Sequence, residues 1–124
     1  MDESEAAMEL TEALLGDVPT LVPKGTVDDD SAGALEAALA KLTKARYNIV
    51  FLDLTDTEGI GGAGLAVLAA WVKALGGKGW LGVVAAAPTV REALESAGLI
   101  PHPNVRVFET RQLARFATQE RQST

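Results

Sequence analysis

Residues 48–75, NIVFLDLTDTEGIGGAGLAVLAAWVKAL, hold the residue types and spacing that come nearest to chemistry. Carboxylates stand at Asp53, Asp56 and Glu58, hydroxyls at Thr55 and Thr57, and glycines at Gly59, Gly61, Gly62 and Gly64. The stretch reads as a buried strand ending at Asp53 and Leu54, a glycine-rich loop, and a helix with hardly a charge on it. Glycines that turn the backbone with φ > 0 and leave the first helical amides uncovered would make an anion site. Gly59-Ile60-Gly61-Gly62-Ala63-Gly64 also satisfies G-x-G-x-x-G, the pattern of dinucleotide loops. The three carboxylates could hold a cation.

Each reading lacks a part. Thr55, Asp56, Thr57 and Glu58 separate the strand from the first glycine, so phosphates would meet acid first. The acid expected about 20 residues further on to hold a ribose is missing, because the next strand ends Val84-Ala85-Ala86-Ala87. No Lys-Ser or Lys-Thr pair follows a suitable glycine loop, and Ser31, Ser96 and Ser123 lie in no G-x-S-x-G elbow. His102, the sole histidine, stands between Pro101 and Pro103 with no nearby Ser, Asp or Glu, and reads as a surface residue. A strand end followed by a polar loop is more simply solvated than metal-binding, and the chain has no cysteine. No enzyme, cofactor or metal site is expected.

The elements that would position this stretch follow from pattern. The 124 residues are 48% hydrophobic, enough to bury a core without disulfides or metals, and one domain is expected. Residues 8–14 and 18–23 form an opening hairpin turned at Gly16 and Asp17, with Pro19 at an edge position or just before the strand. Residues 24–30 make a loop, with Asp30 or Ser31 capping the next helix. That helix, 31–44, carries Ala34, Leu35, Ala38, Leu39 and Leu42 on one face. Gly76 and Gly77 end the helix of the central unit, and a strand follows at 80–85. Pro88 opens a third helix closed near Ala97 by Gly98. A last strand at 105–108, a cap at Thr110 and a helix over 112–119 complete a β-β-α-β-α-β-α-β-α order. The fold class is α/β, a small mixed sheet with helices packed against it, because helices joining successive strands imply parallel pairing with right-handed crossovers. Residues 1–7 are an acidic, disordered start, 8–118 the domain and 119–124 a frayed tail.

Seventeen acidic against 11 basic side chains leave a net charge of -6, which disfavours nucleic acid and anionic membranes as partners. No apolar run reaches the roughly 18 residues a bilayer requires. The start, MDESEAAMEL, lacks a basic n-region and a long apolar h-region, so a cytoplasmic location is expected.

Several motifs together resemble the STAS domain of bacterial anti-sigma-factor antagonists. Gly25-Thr26-Val27-Asp28 is similar to the family's G-x-[LV]-D turn, and Val50-Phe51-Leu52-Asp53-Leu54 to its V-x-[LV]-D-L strand. Pro88-Thr89-Val90-Arg91 through Ala97-Gly98-Leu99 resembles its P-x-V-[KR] opening and [ST]-G-L close. The departure is at the centre, where the family's D-S-S-G-L meets Gly61-Gly62-Ala63-Gly64-Leu65. The phosphorylated serine falls on Ala63, which has no hydroxyl; Thr55 and Thr57 are the nearby hydroxyls that could substitute.

The resemblance implies a non-catalytic, bacterial protein-interaction module of signalling and transcription regulation. Its partner would be an anti-sigma factor with serine-kinase activity or another signalling protein, with no switch at the usual site. Two alternatives are an accessory STAS subunit of a lipid-transporting membrane ATPase, and a small-ligand or nucleotide binder using the amides of Gly62 to Gly64. The expected partner surface comprises Asp28, Gly61, Gly62, Ala63, Gly64, Ala66, Val67, Ala70 and Trp71. On a helical wheel Leu65, Leu68, Ala69 and Val72 face the sheet while Ala66, Val67, Ala70 and Ala74 lie opposite, with Trp71 at the flank. Trp71 folded onto its own core, or a homodimer through the stripe, is the competing use of that face.

Overall fold

A computed structural model describes residues 8–123, with side chains as far as Gln119. The acidic start at 1–7 lies outside the described residues. Apolar runs bounded by turn residues form strands β1 (Glu9–Leu15), β2 (Val18–Val27), β3 (Ile49–Asp53), β4 (Thr57–Ile60), β5 (Trp80–Val84) and β6 (Val105–Phe108). Helices α1 (Ala32–Lys44), α2 (Gly62–Leu75), α3 (Pro88–Ser96) and α4 (Arg111–Ser123) connect or follow them. The sheet runs β1-β2-β3-β5-β6, with β4 also on β2; β1 is antiparallel to β2 and every other pair is parallel. This is the expected mixed α/β sheet.

Strands β3 and β5 look uniformly apolar because both their faces are buried. Val50 and Leu52, with Leu81 and Val83, join Leu35 and Leu39 of α1, Leu68 and Val72 of α2 and Leu94 of α3 in one core. Phe51, Trp80 and Val84 point the other way, against Ala114 of α4. Phe51 packs edge-on against both Trp80 and Phe108, with ring centroids 5.6 Å apart in each pair. Gly82 pairs with Phe51 across the ladder, and a Cβ there would enter the Phe51 ring. Three helices thus cover one face and one helix the other, and each fully buried Leu or Phe contributes about 1.5–3 kcal/mol.

Several boundaries differ from expectation for reasons of pairing. The polar segment read as loop contains β4, and β2 continues through Val27, because the ends of these two strands pair with each other. Pro19 is not at an edge, since β2 lies between β1 and β3. It is tolerated because the β2–β3 ladder holds only Thr20 and Leu21, leaving Pro19 and Pro23 outside it. In α1 the buried set is Ala32, Leu35, Ala38, Leu39 and Leu42; Ala34 is exposed. Helix α4 starts at Arg111 and its backbone runs on to Ser123, through most of the segment expected to fray.

The helix stops obey local chemistry. Gly76 closes α2 in the left-handed region at φ 57, Pro88 occupies the first turn of α3, Gly98 follows it at φ 79, and the Thr110 hydroxyl caps α4 by accepting from the Leu113 amide at 3.1 Å. Helix α1 closes differently. The Tyr47 amide donates to the Leu42 carbonyl at 3.0 Å and the Arg46 amide to Thr43 at 2.9 Å, the paired bonds of a Schellman motif. The left-handed residue of that motif is Arg46 at φ 72, a position glycine usually fills, and a side chain there costs about 1–2 kcal/mol.

Candidate functional site

The start of α2 is stapled to the end of β2. The Gly61 amide donates to the Val27 carbonyl at 2.8 Å, the Gly25 amide to Asp56 at 3.0 Å, and the Thr57 hydroxyl to Pro23 at 2.7 Å. The sharp turn with φ > 0 expected at Gly59, Gly61, Gly62 and Gly64 is absent; Gly59 lies in β4, and Gly61 is an extended cap with φ -92. Close approach explains Gly64 instead. A Cβ on it would sit 2.7 Å from Cγ1 of Val27 and 3.1 Å from Cγ1 of Ile60, so Gly64 is buried and takes no part in an exposed surface. At Gly62 a Cβ would meet nothing within 4 Å.

Helix α2 divides its faces much as its pattern implies, with one correction. Leu68 and Val72 are buried, and Leu65 and Ala69 are half-buried against the same core. Gly62, Ala66, Ala70 and Ala74 are exposed, and Ala63 is half-buried. Val67, expected to face outward with them, and Trp71, expected at the flank, are half-buried against the core. The Trp71 indole N–H donates to the Thr43 hydroxyl of α1 at 3.0 Å, so α1 captures the ring.

Acid surrounds this junction. Asp29, Asp30, Asp56 and Glu58 are exposed, whereas a helix start supplies only about half a positive charge. The balance disfavours an anion on the amides of Gly62 to Gly64. Asp28 and Ser31 bond reciprocally: the Asp28 amide donates to the Ser31 hydroxyl at 2.8 Å and the Ser31 amide to the Asp28 carboxylate at 3.0 Å, in the manner of a capping box. The Ser31 hydroxyl bond, then the Ser31 amide, holds the Asp28 carboxyl below its usual range.

Asp53 is not solvated. It is buried, and its carboxylate accepts from the Arg111 guanidinium of α4 at 2.5 Å and from the Thr55 amide and hydroxyl at 3.1 and 2.6 Å. No group of three His, Cys, Asp or Glu able to hold a metal occurs among the described residues. Thr57 is buried with its hydroxyl donated, which leaves Thr55 as the exposed hydroxyl of the pair. His102 is half-buried and accepts the Asn104 amide on Nδ1 at 2.9 Å, a role in a turn. Sequence reasoning missed Arg111, which lies 58 residues from its partner and carries no local mark.

A six-stranded mixed sheet with a stapled strand-to-helix junction defines a class. The chain belongs to the STAS domain family: the family model described as "Mlab, STAS domain" matches residues 10–100. Among solved structures the fold is similar to an anti-sigma factor antagonist from Mycobacterium paratuberculosis, with TM-score 0.79 and 26% identity over 92% of this chain and 96% of that one. It is also similar to a putative anti-sigma factor antagonist from Thermotoga maritima, with TM-score 0.75 and 22% identity over 90% and 92%. A third match is the anti-sigma factor antagonist SpoIIAA in its unphosphorylated form, with TM-score 0.72 and 15% identity over 92% and 97%. No curated protein sequence matches. No helix among the described residues is long and apolar enough to cross a membrane.

Proposed function

We propose that this protein is a non-catalytic binding module of the anti-sigma-factor antagonist type, docking through the start of α2 and lacking the usual phosphorylation switch. The observation that carries the reading is the uncharged, solvent-facing start of α2, where Gly62, Ala63, Ala66 and Ala70 follow one another along the helix and Ala63 stands at the serine position of the resembled pattern. The 26% identity to the mycobacterial antagonist over nearly the whole of both chains supports it. A phosphoserine there would add nearly two negative charges to a rim that is already acidic; alanine keeps the surface in one state. The rim carboxylates, Asp29, Asp30, Asp56 and Glu58, suit a partner that presents Lys or Arg around an apolar centre.

The test uses an anti-sigma factor with serine-kinase activity as the bait. Wild type should be captured and carry no phosphate at residue 63, while Ala63→Glu should weaken capture by roughly ten-fold or more, as charge at an apolar hot spot does. Val67→Asp should weaken it less, because Val67 leans towards the core. Capture of Ala63→Glu at wild-type strength, with native circular dichroism, places the interface elsewhere. Stoichiometric phosphate on Thr55 shows a relocated switch, and loss of a dimer in place of the partner assigns the face to self-association.

A further inference from the structure

Asp53 takes no part in the surface at the start of α2, yet it stands where the chain leaves the sheet on its way there. Its side chain is 4% exposed, at the end of β3. One carboxylate oxygen accepts from the Thr55 amide and hydroxyl, which closes an Asx turn, and the other accepts from Nε of Arg111 at 2.5 Å. Leu54 is fully buried and its amide donates to the Val84 carbonyl at 2.8 Å, so the strand end is fixed and the freedom of the chain begins at Thr55.

From that turn to α2 the bonds form a continuous series. The Thr57 amide donates to the Leu54 carbonyl at 3.1 Å, the Asp56 carbonyl accepts from the Gly25 amide, and after the four residues of β4 the Gly61 amide reaches Val27. The direction in which the chain leaves Asp53 therefore sets where α2 starts.

The ion pair that fixes Asp53 is lopsided, with 53% of the Arg111 side chain exposed. Pinning α4 to the sheet is part of its effect, since Ala114 and Thr118 are the only buried side chains among those described in that helix. Pinning alone does not account for the other carboxylate oxygen, which is engaged by Thr55. A buried carboxylate deprived of its cation is costly, and next to solvent the readiest relief is to turn out to water. Turning out releases both Thr55 bonds and leaves Leu54 in place, so the turn loosens while the sheet holds.

We infer that Arg111 is a positioning residue for the docking surface: acting through Asp53 and the Thr55 turn, α4 on one face of the sheet holds the start of α2, on the other face, in its binding form. This rests on the docking role proposed above for that surface and adds a residue that controls it from across the sheet.

Amide hydrogen exchange on the full chain tests the coupling without a partner. In Arg111→Gln the Thr55 amide should lose most of its protection and Gly61 should exchange about ten-fold faster, with Ala38 and Leu39 of α1 unchanged. Asp53→Asn removes the buried charge and keeps a carbonyl oxygen for Thr55. In that background Arg111→Gln should change Gly61 by less than about two-fold, whereas an arginine that only pins α4 would act equally in both. Arg111→Lys, which keeps the cation, should restore most of the protection. Capture by the serine-kinase anti-sigma factor should weaken by roughly three-fold or more in Arg111→Gln, the loss expected once most chains have the turn released, and should recover in Arg111→Lys. Faster exchange at Thr55 with Gly61 unchanged shows the start of α2 to be insulated from α4 and overturns the inference, as does an equal effect of Arg111→Gln in the two backgrounds. Capture of Ala63→Glu at wild-type strength overturns instead the docking role on which it rests.

Discussion

The two ends of α2 are made of opposite materials. Its start is glycine and alanine, stapled to β2 and ringed by Asp29, Asp30, Asp56 and Glu58; its end meets Lys44, Arg46 and Lys78 around two aromatic rings. The topology accounts for part of this contrast. Right-handed crossovers between parallel strands make α1 and α2 run the same way, so both helix starts gather at one pole and both ends at the other. Acid near the starts and base near the ends is then what the helix dipoles favour. What the dipoles leave over differs at the two poles. One keeps an apolar, charge-free strip along a helix, and the other keeps a recess with a strained arginine beside it.

The contrast depends on α2 being a rigid strut, and Leu68 is its anchor, fully buried under the sheet. Leu68→Ala should produce the largest effect, a loss of about 2–5 kcal/mol by urea denaturation, because the cavity left beneath the helix cannot collapse fully. A loss well under 1 kcal/mol would mean that α2 is not held through that face. A smaller effect separates two glycines of the same junction. Gly64→Ala should destabilise by about 1–3 kcal/mol, since its Cβ must displace Val27 and Ile60, while Gly62→Ala should be neutral or stabilising by up to about 1 kcal/mol. Equal responses would show that both glycines serve the turn and neither the packing.

The smallest effect is electrostatic and belongs to the acidic pole. Ser31 holds the Asp28 carboxyl below its ordinary range, so the folded chain keeps that carboxylate ionised at pH values where the unfolded chain already binds a proton. The stabilisation is complete above the unfolded value of about 3.9 and is lost as pH falls through the lower folded-state value. The urea midpoint of wild type should therefore fall towards that of Asp28→Asn as pH drops below about 4. Midpoints that stay a constant distance apart across that range would exclude Asp28 from the linkage.

Much of this architecture was legible because its causes are local. Gly76, Pro88, Gly98 and Thr110 mark helix limits through backbone geometry and capping that act within one turn, and the positions of Leu35, Leu39 and Leu42 suffice to identify the inner face of α1. The motif 88–99, read from residue types alone, lies on α3 and its stop. The glycine-rich run announced an unusual junction but not its kind, because a glycine needed for φ > 0 and one needed for close approach are written with the same letter.

What the chain's own order of residues determined, then, is the set of elements, their stops, and the single charge, Lys73, on α2. The tertiary structure decided which of those elements touch. Only pairing between the ends of β2 and β4 turns the segment after Leu54 into a strand, and only the packing of α4 on the second face brings Arg111 to Asp53. Only the side-by-side setting of α1 and α2 draws Trp71 to Thr43 and gathers Lys44, Arg46 and Lys78 around one groove. The physical reason is range. Propensity and capping act over a few residues of chain, whereas burial and charge act through space, and the distances in space exist only once the sheet has fixed its order.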